Sequence, residues 1–114
     1  MYRERSEILK NWKRYVNEVA RAAERLLKNC EVYSFGSAVR GKLTAASDID
    51  VLIIAEDLPQ NLMERAKVKG EIERLANLPP YHPIQIHLIT RNEAKNSSIY
   101  SKATEEGLKI KFNR

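Results

Sequence analysis

The chain has 114 residues, 43% apolar and 31% charged, which fits one soluble globular unit and excludes a fibrous or low-complexity protein. Its longest unbroken apolar run, Val51 to Ala55, is far too short to span a bilayer, and the charged start Arg3-Glu4-Arg5 has no apolar stretch behind it, unlike a secretory signal. A lone cysteine, Cys30, excludes an intrachain disulfide and a cysteine-only metal site, so the expectation is a cytoplasmic protein with no membrane partner, built as a single domain over residues 1–114. The net charge of +5 is unevenly spread. Residues 2–29 carry +4, residues 30–90 carry −2 and residues 91–114 carry +3. Such a field attracts a phosphate-bearing ligand or an acidic partner.

In chain order, residues 3–29 predict one long amphipathic helix, because Ile8, Trp12, Tyr15, Val16, Val19, Ala23, Leu26 and Leu27 recur at three- and four-residue spacing with no glycine or proline between them. That helix also offers a surface for homodimerisation. The aromatics at this spacing read as core. Val32 to Phe35 predicts a short strand ending at Gly36, and Ser37 to Val39 the start of a short helix broken at Gly41. Asp48 to Ala55 predicts a second strand, buried on both faces. Asn61 with Glu64 three residues on is a capping-box pattern before a helix reaching about Ala76, with Leu62, Ala66, Ile72 and Leu75 on one side. Pro79, Pro80 and Pro83 make a stiff loop that contains His82. Ile84 to Ile89 alternates as a third strand, and Thr90 with Glu93 repeats the capping-box spacing before a short helix. Ser98 to Glu106 predicts a last helix stopped at Gly107, after which Leu108, Ile110 and Phe112 alternate as a final strand. The fold class is therefore α+β: a small mixed sheet of three to four strands packed with helices, with a helical crossover between strands two and three.

The chemistry concentrates in Phe35-Gly36-Ser37-Ala38-Val39-Arg40-Gly41-Lys42 and Ser47-Asp48-Ile49-Asp50. Gly36 ends a strand and lets backbone amides approach a ligand closely. Ser37 opens a turn whose N–H groups favour anions, and Arg40 adds a planar fork for phosphate oxygens. Lys42 is a further cation beside it. Ten residues separate Ser37 from Asp48, and the i, i+2 spacing of Asp48 and Asp50 puts both carboxylates on one face of a strand. Two adjacent carboxylates repel unless a cation lies between them. Oxygen ligands with open positions suit Mg²⁺ shared with substrate phosphates. A phosphate cradle beside a metal platform suits a nucleoside triphosphate.

This combination over residues 35–54 resembles the signature of the DNA polymerase β-like nucleotidyltransferase superfamily, and the short length resembles its minimal nucleotidyltransferases. The resemblance implies that Gly36 and Ser37 contact the β- and γ-phosphates and that Asp48 and Asp50 hold two Mg²⁺ ions with the bound NTP. It implies transfer of a nucleoside monophosphate, AMP from ATP foremost, to a hydroxyl of a protein or small molecule. It also implies a small helical partner of the HEPN type, toward which the protein would act as antitoxin.

Active members of that superfamily carry a third carboxylate on a later strand. Here the matching stretch is Pro83-Ile84-Gln85-Ile86-His87-Leu88, with Gln85 at the expected place and His87 two residues on, hence on the same face. A glutamine cannot take a proton, and imidazole is a poor Mg²⁺ ligand. Losing a general base costs about 10²–10⁴ in rate. Three expectations follow: a slow enzyme using His87 or solvent, a carboxylate supplied by Glu56 or Asp57, or a weakened subunit that binds nucleotide or partner without turnover. Nucleic-acid binding, suggested only by the basic ends, lacks a recognition motif. Cys30, with no histidine near it in sequence, reads as a small buried hydrophobe rather than a nucleophile.

Overall fold

The computed structural model describes residues 2–111. Two helices come first, α1 (Tyr2–Lys10) and α2 (Trp12–Leu26), followed by strands β1 (Glu31–Phe35) and β2 (Ile49–Ala55). Helix α3 (Leu62–Leu75) leads to β3 (Ile84–Thr90), and α4 (Arg91–Lys95), α5 (Ser98–Glu106) and β4 (Leu108–Ile110) follow among the described residues. The four strands form one mixed sheet in the order β3-β2-β1-β4. β1 is antiparallel to β2 and β4, whereas β2 and β3 run parallel through the α3 crossover.

Strand alternation sorts the side chains into two clusters. On one face Val32, Ile49, Val51, Ile53, Ile84, Ile86 and Leu88 pack under α1, α2 and α3, which contribute Ile8, Val16, Val19, Ala20, Ala23 and Ile72. On the other, Tyr33, Leu52, Ile54 and Ile89 pack under Ala94 of α4 and Ala103 of α5. With both faces covered, β2 is buried along nearly all its length, as its unbroken apolar run requires. The cover on the second face is short. It leaves Asp50 and Gln85, near the strands' starting ends, and His87, midway along β3, only partly screened or exposed.

The predicted first helix is two helices. Asn11 leaves helical geometry at φ −113°, ψ 36°, and its side-chain amide donates to the Glu7 carbonyl at 3.1 Å. Asparagine competes with the helix ladder in this way, and neither glycine nor proline is needed for the break. Trp12 and Tyr15 pack against the core as expected, but Leu26 is exposed. Ser37 to Val39 forms a turn, not a helix. Arg40 N–H donates to the Gly36 carbonyl and Lys42 N–H to that of Ser37, and Gly41 at φ +70° ends the turn before a helix can propagate. In α3, Asn61 caps by accepting from the Met63 and Glu64 N–H groups. Only Ile72 of the apolar side is fully buried; Leu62 and Ala66 are exposed, because the first half of the helix flanks the outer edge of β3 instead of the core. The Thr90–Glu93 capping box is present in full. Phe112 lies outside the described residues.

Candidate active site

The site forms where the β1–β2 ladder brings the end of β1 beside the start of β2. Phe35 pairs with Asp50, so Gly36, the next residue, lies against the Asp50 carboxylate. Gly36 adopts φ +83°, and a Cβ there would stand 2.8 Å from Asp50 Oδ2. The backbone conformation favours glycine, and a side chain there would displace the Asp50 carboxylate. The other carboxylate oxygen, Asp50 Oδ1, lies 3.2 Å from His87 Nε2, and His87 Nδ1 lies 3.1 Å from the Tyr100 hydroxyl. The imidazole sits between the Phe35 and Tyr100 rings, with centroids 5.3 and 5.6 Å away.

Asp48 immediately precedes β2 and is largely exposed. Its Oδ1 lies 3.5 Å from Arg5 Nη2, and the same guanidinium donates to the carbonyls of Ser47 at 2.8 Å and Ala45 at 3.3 Å. Helix α1 therefore fastens the loop that carries Asp48. Gln85 is exposed and stands in register with Asp50 on the neighbouring strand, about 5 Å away at the backbone. Glu56 and Asp57, considered from sequence as substitute carboxylates, follow the opposite end of β2. They lie about 20 Å along the strand from Asp50 and cannot join it.

Two openings flank this centre. A cavity of about 220 Å³ between the Gly36 turn and α5 is lined by Phe35, Gly36, Val39, Arg40, Lys102 and Glu106, among others. A groove of about 360 Å³ follows the outer edge of β3 and is lined by Leu62, Arg65, Lys69, Gln85, His87 and Tyr100, among others. Of the sequence-predicted residues, Gly36, Asp50, Gln85 and His87 converge, and Arg40 borders the first cavity. Ser37 follows Gly36 in the turn. Lys42 is exposed and lines neither opening. Arg5, Tyr100 and Lys102 were missed, because no local spacing ties them to the aspartates. Cys30 is half-buried, and desolvation followed by the nearby Glu24 charge pushes its thiol up, which suits a packing residue rather than a nucleophile.

Among the described residues no group of three His, Cys, Asp or Glu side chains is gathered to hold a metal. The carboxylates that could hold a hard cation are Asp50, with Oδ2 directed at the Gly36 turn, and Asp48, on the loop just before β2. This is too few oxygens for an all-protein cage and suits Mg²⁺ completed by phosphate oxygens.

The sequence pattern of the nucleotidyltransferase domain matches residues 16–110. No curated protein matches the chain significantly. Solved structures share the fold, two of them over most of this chain. One is a provisionally assigned nucleotidyltransferase from Sulfolobus solfataricus, with 19% identity, a TM-score of 0.59, and 94% of this chain and 82% of that one covered. The other, also a provisionally assigned nucleotidyltransferase, has 24% identity, a TM-score of 0.59, and covers 82% of this chain and 95% of its own.

Proposed function

The chain belongs to the nucleotidyltransferase domain family, and from that premise we propose that it transfers AMP from ATP to a hydroxyl of a protein or small molecule. The observation that carries this reading is the contact between Gly36 and Asp50, which joins the phosphate turn to the carboxylate platform. On this reading Gly36 and Ser37 receive the β- and γ-phosphates, and Arg40 neutralises charge from the side of the 220 Å³ cavity. Asp48 and Asp50 would hold Mg²⁺, which when bound offsets phosphate charge and acidifies the attacking hydroxyl. The acceptor oxygen attacks the α-phosphorus and gives up its proton to solvent, the bond to the bridging oxygen of the β-phosphate breaks, and pyrophosphate leaves in line. The groove beside Gln85 gives the acceptor its approach. A HEPN-type protein is one acceptor of the right kind, and an antitoxin role would follow from its modification.

The exposed Gln85 beside Asp50 favours one second reading, a weakened subunit that binds nucleotide or partner without turnover. Label transfer from α-³²P-ATP with Mg²⁺, in extract from the protein's own source, separates the two. A labelled product that disappears with Asp48→Ala/Asp50→Ala is the expected result. Absence of label above that control, with nucleotide still bound, supports the second reading.

A further inference from the structure

We propose that Tyr100 is a positioning residue for Asp50, acting through His87. The inference rests on the nucleotidyltransferase reading for its consequence but on hydrogen-bond geometry for its substance. Asp50 Oδ1 faces His87 Nε2 at 3.2 Å, and an ionised carboxylate can only accept, so Nε2 carries the proton. In a neutral imidazole Nδ1 is then an acceptor. In that neutral form the Tyr100 hydroxyl, 3.1 Å away, donates to it. The chain of bonds runs one way, from tyrosine to histidine to aspartate.

Each member is fixed by a different element. Tyr100 lies in the first turn of α5, where its N–H donates to the Ser97 hydroxyl, and the Ser101 hydroxyl donates to the Ala94 carbonyl and ties α5 to α4. His87 is held on β3 between the Phe35 and Tyr100 rings. The result for Asp50 is directional. Oδ1 is occupied by the imidazole and Oδ2 is left facing the Gly36 turn, where phosphate and metal would meet. Partners of this kind set the orientation and basicity of metal-ligating carboxylates. His87 on this account orients a ligand rather than taking the acceptor's proton, and its ring is already engaged at both nitrogens.

The test reads the imidazoles directly. Long-range ¹H–¹⁵N spectra at about pH 8, above the ordinary imidazole range, distinguish the two neutral tautomers. His82 is an internal reference, because its Nδ1 accepts from the Ile84 N–H at 3.1 Å and its Nε2 faces Glu73 at 2.7 Å. Both histidines should show the Nε2–H form in the wild type. Tyr100→Phe should leave His82 unchanged and remove the single-tautomer signature of His87. An Nδ1–H form of His87 in the wild type, or an unchanged His87 in Tyr100→Phe, overturns the proposal. Mn²⁺ titration followed by electron paramagnetic resonance gives the second readout. Tyr100→Phe should weaken binding about tenfold. In the background of His87→Gln, which keeps an N–H donor for Asp50, Tyr100→Phe should add nothing. Full additivity would show that Tyr100 does not act through His87. A wild type that binds no Mn²⁺ but shows the expected tautomers counts against the nucleotidyltransferase reading and leaves the positioning chain standing.

Discussion

Gly36 and Asp50 are mutually exclusive with a side chain at the first position: a Cβ on Gly36 would come within 2.8 Å of Asp50 Oδ2. Gly36→Ala therefore meets both a left-handed backbone at φ +83° and a collision with the carboxylate. Strain of this kind costs about 1–3 kcal/mol. Gly41 separates the two effects. It has φ +70° with nothing within 4 Å of a Cβ, so Gly41→Ala carries strain alone. Urea denaturation should show both variants destabilised, Gly36→Ala the more. Only Gly36→Ala should also weaken Mn²⁺ and nucleotide binding. Equal binding losses in the two variants would remove the Gly36–Asp50 contact from the account of the site.

Gln85 is the position at which chemistry can be added. A carboxylate there would face Asp50 across one strand spacing, about 5 Å. Without a cation the two would repel, so Gln85→Asp should lower the melting temperature in EDTA and recover it with Mg²⁺. If the chain is a transferase slowed by the missing base, the variant should also gain at least about tenfold in label transfer, at the low end of what a general base supplies. Recovery of stability without any gain in rate would assign the protein to the binding reading instead.

Fold and site were not equally legible in the sequence. The strands were readable because Val32 to Phe35, Asp48 to Ala55 and Ile84 to Ile89 carry runs of β-branched, aromatic or other apolar residues, and the structure pairs all three, the second starting at Ile49. Thr90 and Glu93 announced their capping box because both halves lie within four residues. The break at Asn11 was hidden, since the apolar period runs through it and only the asparagine amide's bond to Glu7 reveals the competition. The exposure of Leu62 was hidden for a related reason: periodicity says which residues share a face, not how far the core extends beneath it. In the candidate site, the neighbourhood of Gly36 and Asp50 was legible because a single connection joins the end of β1 to the start of β2. Arg5 and Tyr100 approach from 43 and 50 residues away in sequence, by packing of α1 and α5, and no local pattern encodes that.

Glu93 gives the chain a small acid-sensitive contribution. Its carboxyl is held below the ordinary carboxylate value, first by the hydrogen bond from the Thr90 backbone N–H and then by Arg65, whose Nη1 lies 2.7 Å away. A folded-state value below the unfolded one stabilises the fold above the unfolded value, about 4.3, and that contribution disappears as pH falls through the folded value. The Glu93 side chain is 47% exposed, so solvent screening limits the pair to no more than about 1 kcal/mol. Glu93→Gln should therefore reduce stability slightly at pH 7, with the difference from wild type vanishing in the acid limb of the stability curve. A difference that persists unchanged at pH 2.5 would show that the side chain acts through packing rather than charge.

Arg5 could either compete with a metal for Asp48 or hold Asp48 in place, and the distances decide between them. Its 2.8 Å bond to the Ser47 carbonyl is a well-formed charge-assisted hydrogen bond, whereas the 3.5 Å approach to Asp48 involves a carboxylate that is 59% exposed and screened by water. Holding the loop is the larger effect. Arg5→Ala should cost about 1 kcal/mol of stability, increase amide hydrogen exchange across residues 44–48 and leave α2 protection unchanged. Label transfer should fall, because Asp48 loses its fixed starting position. Arg5→Lys keeps the charge but loses the second donor to the Ala45 carbonyl, so it should lie between wild type and Arg5→Ala in all three measurements. If Arg5→Ala instead tightened Mn²⁺ binding without loosening residues 44–48, competition would be the dominant role and the ordering argued from these distances would fail.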